Sequence, residues 1–191
     1  EGRVPKRVQK DWSNLKANFQ SGKPTYVALT PLSTMRTGMA LYSGEKDDNE
    51  PVPEVWKGKS LSDPAVKEAY AQYVSLVVDT FKPSYVALDI ETNILKSTTP
   101  DQWDALVELH ESTYQQLKTK YPKVQFFSTI QLEHLKGFAE SKGKEAQQVE
   151  VVKQLMKSSD LLAVSSYPYS ARLKSIPEDY FDVLKSFGKP I

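Results

Sequence analysis

Four short apolar runs, each alternating with a helix-forming stretch, constrain this chain more than anything else in it. The runs are Tyr26-Val27-Ala28-Leu29, Tyr85-Val86-Ala87-Leu88, Val124-Gln125-Phe126-Phe127 and Leu161-Leu162-Ala163-Val164. Each is short and continuous, the pattern of a strand buried on both faces in a parallel sheet. Between them, apolar residues recur every three or four positions. The stripe Val66, Ala69, Tyr70, Tyr73, Val74, Val77, Val78 and Phe81 predicts a helix facing a core. Ser62 or Asp63 suits its N-cap and Pro64 its first turn. Thr99, Pro100 and Gln102 predict a capping box for the next helix, with Trp103, Val107, His110, Tyr114, Leu117 and Tyr121 as its stripe. A third helix is predicted over 144–157 and a fourth from about Pro177 to Gly188. A shorter helix over 12–20 precedes the first strand.

The order is therefore α-β-α-β-α-β-α-β-α, with Gly188-Lys189-Pro190-Ile191 reading as a helix end and the entry to another strand. Such alternation implies parallel strands joined by right-handed crossovers. Two architectures fit it, a (β/α)8 barrel and an open flavodoxin-like parallel sheet. Hydrophobic residues make up 39% of the 191, enough to build a core rather than a disordered chain. A barrel needs about 250 residues. On the barrel reading, residues 1–191 are a single partial domain, truncated at both ends.

Composition removes several function classes. The 25 basic and 24 acidic residues leave a net charge of +1, and the lysines are scattered among acids, which speaks against nucleic-acid binding. No apolar run is long enough to span a bilayer. Cysteine is absent and only two His occur, so no metal site is expected. Gly58-Lys59-Ser60 lacks the upstream glycine of a phosphate loop, because Pro53 stands there. No dinucleotide-binding glycine fingerprint follows any strand.

Chemistry-bearing residues gather after the strands. The connection from Pro31 to Ser60 is about 30 residues long, holds the acidic cluster 45–50, and carries Arg36, Tyr42 and Trp56. It leaves the carboxyl end of a strand, where α/β folds build their sites. The second strand runs on into Leu88-Asp89-Ile90-Glu91-Thr92-Asn93. Strict alternation puts Tyr85, Ala87, Asp89 and Glu91 on one face and Val86, Leu88 and Ile90 on the other. Glu91 then lies at the rim, where a carboxyl group can act as a general acid. Gln131 and His134 follow the third strand, with His134 expected to be a solvated loop side chain. Tyr167 and Tyr169 follow the fourth. His110, on an apolar helical stripe, is expected to be a packing residue. Arg36 is placed to orient a carboxylate or a sugar.

The segment Tyr85 to Asn93 resembles the strand-four region of clan A glycoside hydrolases, where a strand ends in Asn-Glu and the Glu is the acid/base. Pro53-Glu54-Val55-Trp56, the helix from Asp63, and Phe81-Lys82-Pro83-Ser84-Tyr85 are similar to the endo-β-1,4-galactanase family and its uncharacterised relatives. Tyr121-Pro122-Lys123-Val124 with Ser128-Thr129-Ile130-Gln131 looks like strand five. Asp160 to Tyr169 looks like strand six, and Phe187 to Ile191 like the entry to strand seven.

The resemblance implies a TIM barrel represented by strands three to six, acting on carbohydrate without a cofactor and outside the cytoplasm. It implies Glu91 as acid/base of retaining hydrolysis, with Asp89, Asn93, Arg36, Trp56, Gln131, Tyr167 and Tyr169 in contact with substrate. The chain departs from the pattern at Ile90, where the clan has Asn. The family's nucleophile would fall beyond Ile191, so the chain as given is not expected to hydrolyse by that route. The alternative implied by Ile90 is a barrel that binds carbohydrate, or serves as a scaffold, without catalysis.

Overall fold

The structure is a computed structural model that describes residues 4–20, 22–138, 141–169, 173 and 175–191. Four strands, β1 (Tyr26–Ala28), β2 (Tyr85–Asp89), β3 (Gln125–Gln131) and β4 (Ala163–Ser165), form one curled sheet. All pairings are parallel, and the strands stand side by side in chain order. The helices are α1 (Lys6–Ala17), α2 (Pro64–Phe81), α3 (Leu95–Thr98), α4 (Trp103–Lys120), α5 (Leu132–Leu135) and α6 (Glu145–Met156). Leu162 N–H donates to the Pro190 carbonyl at 2.8 Å, so the last described residues run beside the start of β4.

The long helices cover one face of the sheet. Val74, Val77 and Val78 of α2 and Leu117 of α4 pack with Val86 and Leu88 of β2 and Phe126 of β3. Leu106 and Leu109 of α4 and Val151, Val152 and Leu155 of α6 pack with Ile130 of β3. Fully burying each such side chain stabilises by about 1.5–3 kcal/mol. The other face carries Tyr26, Tyr85, Ala87 and Phe127. Tyr26 stacks on Phe127 with ring centroids 5.9 Å apart, yet remains 53% exposed.

Local chemistry accounts for most helix ends. Asp63 caps α2 by accepting from Ala65 N–H at 2.8 Å. At the other end Lys82 adopts the left-handed conformation (φ 50°) that usually falls to glycine. The capping box expected at Thr99 does not form. Its hydroxyl donates instead to the Thr37 carbonyl, a 3₁₀ turn covers Pro100–Gln102, and α4 begins at Trp103. The first helix starts at Lys6, earlier than its apolar pattern suggested, because the Pro5 carbonyl takes the first helical bond. The predicted fourth helix is a 3₁₀ helix over Asp182–Phe187, closed by Gly188 at φ 63°.

The 31–60 connection has structure of its own. Antiparallel bridges join Leu32 to Met39 and Tyr42 to Glu50. Arg7 on α1 pins it, donating to the Gly44 carbonyl (3.1 Å), Ser43 (2.9 Å) and Asp48 (2.5 Å). The Glu50 carboxylate accepts the N–H groups of Lys46 and Asp47, which hold it below the usual carboxylate value. The acidic cluster is thus largely committed to holding this loop.

Candidate functional site at the carboxyl end of the sheet

The site begins with the backbone. Glu91 follows β2 with φ 50° and ψ 42°, a left-handed conformation rare for a residue with a Cβ. Such strain persists where surrounding bonds over-determine it, and it concentrates at functional positions. Here the Glu91 N–H donates to Thr129 Oγ1 on β3 at 2.9 Å. The Ile90 carbonyl accepts from Arg36 Nε at 3.0 Å, and Ile94 N–H donates to the Glu91 carbonyl at 3.2 Å.

The Glu91 side chain pairs with one cation, Arg36, and has the neutral phenol of Tyr167 near it. Arg36 Nη2 lies 3.3 Å from its carboxylate, and both side chains are mostly buried, at 14% and 12% exposure. Arg36 also has a left-handed backbone, φ 53°, and its carbonyl accepts from Thr98 Oγ1 at 2.6 Å. The guanidinium therefore comes from a turn that is itself tied down. Tyr167, after β4, lies close enough to Glu91 for the negative charge of that carboxylate, first among the causes, to push the phenol above its ordinary value. Tyr169 stands edge-on to Tyr167 with centroids 6.3 Å apart and is 77% exposed.

The structure corrects the expectation for Asp89. Ala87 pairs with Phe127 but Asp89 pairs with Ser128, so Leu88 is an extra residue in β2. This β-bulge reverses the alternation. Asp89 turns away from the Glu91 face toward α4, where it is 1% exposed and its carboxylate lies 2.7 Å from His110 Nδ1. Thr92 Oγ1 donates to its other oxygen. Both carboxylate oxygens are thus taken by the protein, and Asp89 is not offered to a ligand.

Asn93 needs the same correction. It is fully buried, its Oδ1 accepts from Gln131 N–H at 2.8 Å, and its amide donates to the Gln131 carbonyl and Gln148 Oε1, each at 3.1 Å. It clamps the ends of β2 and β3 to α6. Gln131 is half-buried beside Ser165 of β4. Trp56, half-buried, ends the 3₁₀ helix Glu54–Trp56; its backbone bonds run to Pro53 and Lys59 rather than to the Glu91 group. His134 is not solvated: it is 1% exposed, with Nε2 2.8 Å from Ser97 Oγ. His110 is the buried packing residue expected of its stripe.

Of the sequence-predicted site residues, Arg36 and Glu91 come together in direct contact, with Tyr167 near Glu91 and Tyr169 edge-on to Tyr167. Thr129, which fixes the Glu91 amide, was not anticipated, and neither was Glu133. The Glu133 carboxylate accepts from Ser166 Oγ at 2.8 Å and Tyr180 OH at 2.7 Å, and so anchors the residue next to Tyr167. Burial, then that bond, pushes Tyr180 up to about 12. An inward Thr beside the end of a neighbouring strand was the only sequence signal for the Thr129 contact. Among the described residues, no cluster of three or more His, Asp or Glu is arranged to hold a metal ion. No helix among them is long and apolar enough to cross a membrane.

No protein-family model matches the chain, and a search of curated proteins finds no match.

Proposed function

We propose that the chain is the central part of a (β/α)8 barrel of glycoside-hydrolase type, and that Glu91 is the acid/base of a carbohydrate-active site. The observation that carries this reading is the Glu91 carboxylate at the carboxyl end of a parallel strand. It is held in a left-handed backbone and paired with Arg36, with Tyr167 near enough to feel its charge. Parallel α/β folds use that end of the sheet for chemistry. The barrel is favoured over an open doubly wound sheet by two features. The strands keep chain order without the reversal at which an open sheet binds its ligand. The long helices lie on one face, whereas a doubly wound sheet carries them on both.

The mechanism follows from these groups. Glu91 protonates the departing glycosidic oxygen and then, as a carboxylate, takes a proton from the incoming water. Arg36 fixes the direction in which the carboxylate points. Tyr167 and Tyr169 offer ring faces at right angles, and apolar sugar faces stack on rings. A second carboxylate about 5–5.5 Å from the first is required for retention. On this reading it is contributed by the strand after β4.

Ile90 favours a second reading, a barrel that binds sugar without cleaving it. The clan's Asn before the acid/base contacts a sugar hydroxyl, and Ile cannot. The two readings separate at the end of the following strand in the full-length gene. A Glu there supports the hydrolase, and its absence ends retaining catalysis.

A further inference from the structure

Asp89, the carboxylate two residues before Glu91, faces the helix layer, and the reason it does so bears on the site. His110 presents both ring nitrogens to acceptors. Nδ1 lies 2.7 Å from Asp89 Oδ2, and Nε2 lies 2.8 Å from the Ser158 carbonyl. A neutral imidazole has one N–H, so only the doubly protonated ring donates to both. Both side chains are almost fully buried, and a charge in that setting needs its partner.

The other oxygen of Asp89 accepts from Thr92, so the side chains of residues 89 and 92 close a loop across Ile90 and Glu91. Glu91, inside that loop, has the left-handed backbone. The chain of contacts thus runs from Ser158, through His110 on α4 and Asp89 on β2, to the turn that aims Glu91.

We propose that the His110 imidazolium and the Asp89 carboxylate form a positioning device that holds the Glu91 turn in its left-handed conformation through Thr92. This rests on the reading of Glu91 as the reactive carboxylate, but the geometry it asserts exists without ligand. The groups facing the pair are Ser128 on β3, 3.3 Å from His110 Nδ1, the Ser158 carbonyl after α6, Tyr70 on α2, and Glu111 on α4 itself. Tyr70 acts at one remove, donating to the neighbouring Leu88 carbonyl. Burial opposes the charged ring, but Asp89, the bond to it and the Ser158 carbonyl outweigh burial, so His110 is raised above its ordinary value. Loss of its proton leaves one ring nitrogen facing an acceptor without a hydrogen and removes the charge that balances Asp89, so the loop is held less firmly.

The test is nitrogen-15 NMR on the ligand-free chain. Expected are two protonated ring nitrogens on His110 at pH 7, and a Glu91 amide signal that shifts with the same midpoint as His110 as pH is raised. Thr92→Val removes the closing bond while leaving the His110–Asp89 pair in place. It should move the Glu91 amide and quicken its exchange by about tenfold, a change on the scale of one hydrogen bond. A neutral His110 at pH 7 would overturn the proposal. So would separate midpoints, or a Glu91 amide indifferent to Thr92→Val. Failure to bind or cleave carbohydrate would count against the proposed function and leave these readouts intact.

Discussion

Arg36 and Glu91, joined by a 3.3 Å ion pair, both hold left-handed backbones, so two strained turns meet through their side chains. The pair is bound at its edges, since Arg36 Nε also takes the Ile90 carbonyl. A guanidinium can make both contacts from one plane, whereas an ammonium cannot. Arg36→Lys should therefore lose one of the two. A cost of about 1–2 kcal/mol is expected, below that of a fully buried pair because both side chains keep some solvent. Chemical denaturation of the variant measures it, and no change in midpoint would show that the pair does not hold the turn.

The buried pair beneath the site makes stability pH-dependent with a defined sign. His110 is raised in the folded protein. Its contribution is complete below the ordinary histidine value of about 6.5 and is lost as pH rises through the higher folded value. Unfolding midpoints measured from pH 6 upward should fall across that window. Asp89→Asn should flatten this fall and cost about 3 kcal/mol, because it leaves a buried cation without its counter-charge. A pH dependence equal to that of the parent chain would contradict the assignment.

Lys82 has a left-handed backbone with no comparable reward. It is exposed, and its ion pair with Asp79 lies at the surface. Lys82→Gly should raise stability by about 0.5–1 kcal/mol, since glycine adopts this conformation without a Cβ penalty. A loss of stability would show that the exposed ion pair outweighs the backbone strain.

Arg7 ties α1 to the connection that carries Arg36. Arg7→Ala should leave the core intact and loosen residues 42–50. Hydrogen exchange at Tyr42 and Glu50, whose N–H groups bond to each other's carbonyls, reads this directly. Unaltered exchange would mean that the bridge stands without α1.

The strands and long helices were legible because Val86, Leu88, Phe126 and the α2 stripe obey simple periods. The capping box failed because a local motif competed with a distant carbonyl: Thr99 bonds to Thr37, 62 residues away. Glu91, Arg36 and Tyr167 were legible as residues at strand ends, but the left-handed turns that join the first two were not. Asp89 was misplaced for a definite reason. One extra residue, Leu88, reverses the alternation, and nothing in the composition of β2 marks a bulge. A buried His on an apolar helical stripe and an Asp in an apolar strand were, in retrospect, each other's partners.

Glu91 is proposed as the reacting carboxylate of a carbohydrate-active site. Turnover of β-1,4-galactan and a panel of aryl glycosides by the full-length protein, with and without Glu91→Gln, tests it most directly. Measurable turnover that falls by about 10²–10⁴-fold in the variant is expected, the usual effect of removing a general acid/base. Equal rates in the two proteins, or no turnover by the parent, would contradict it.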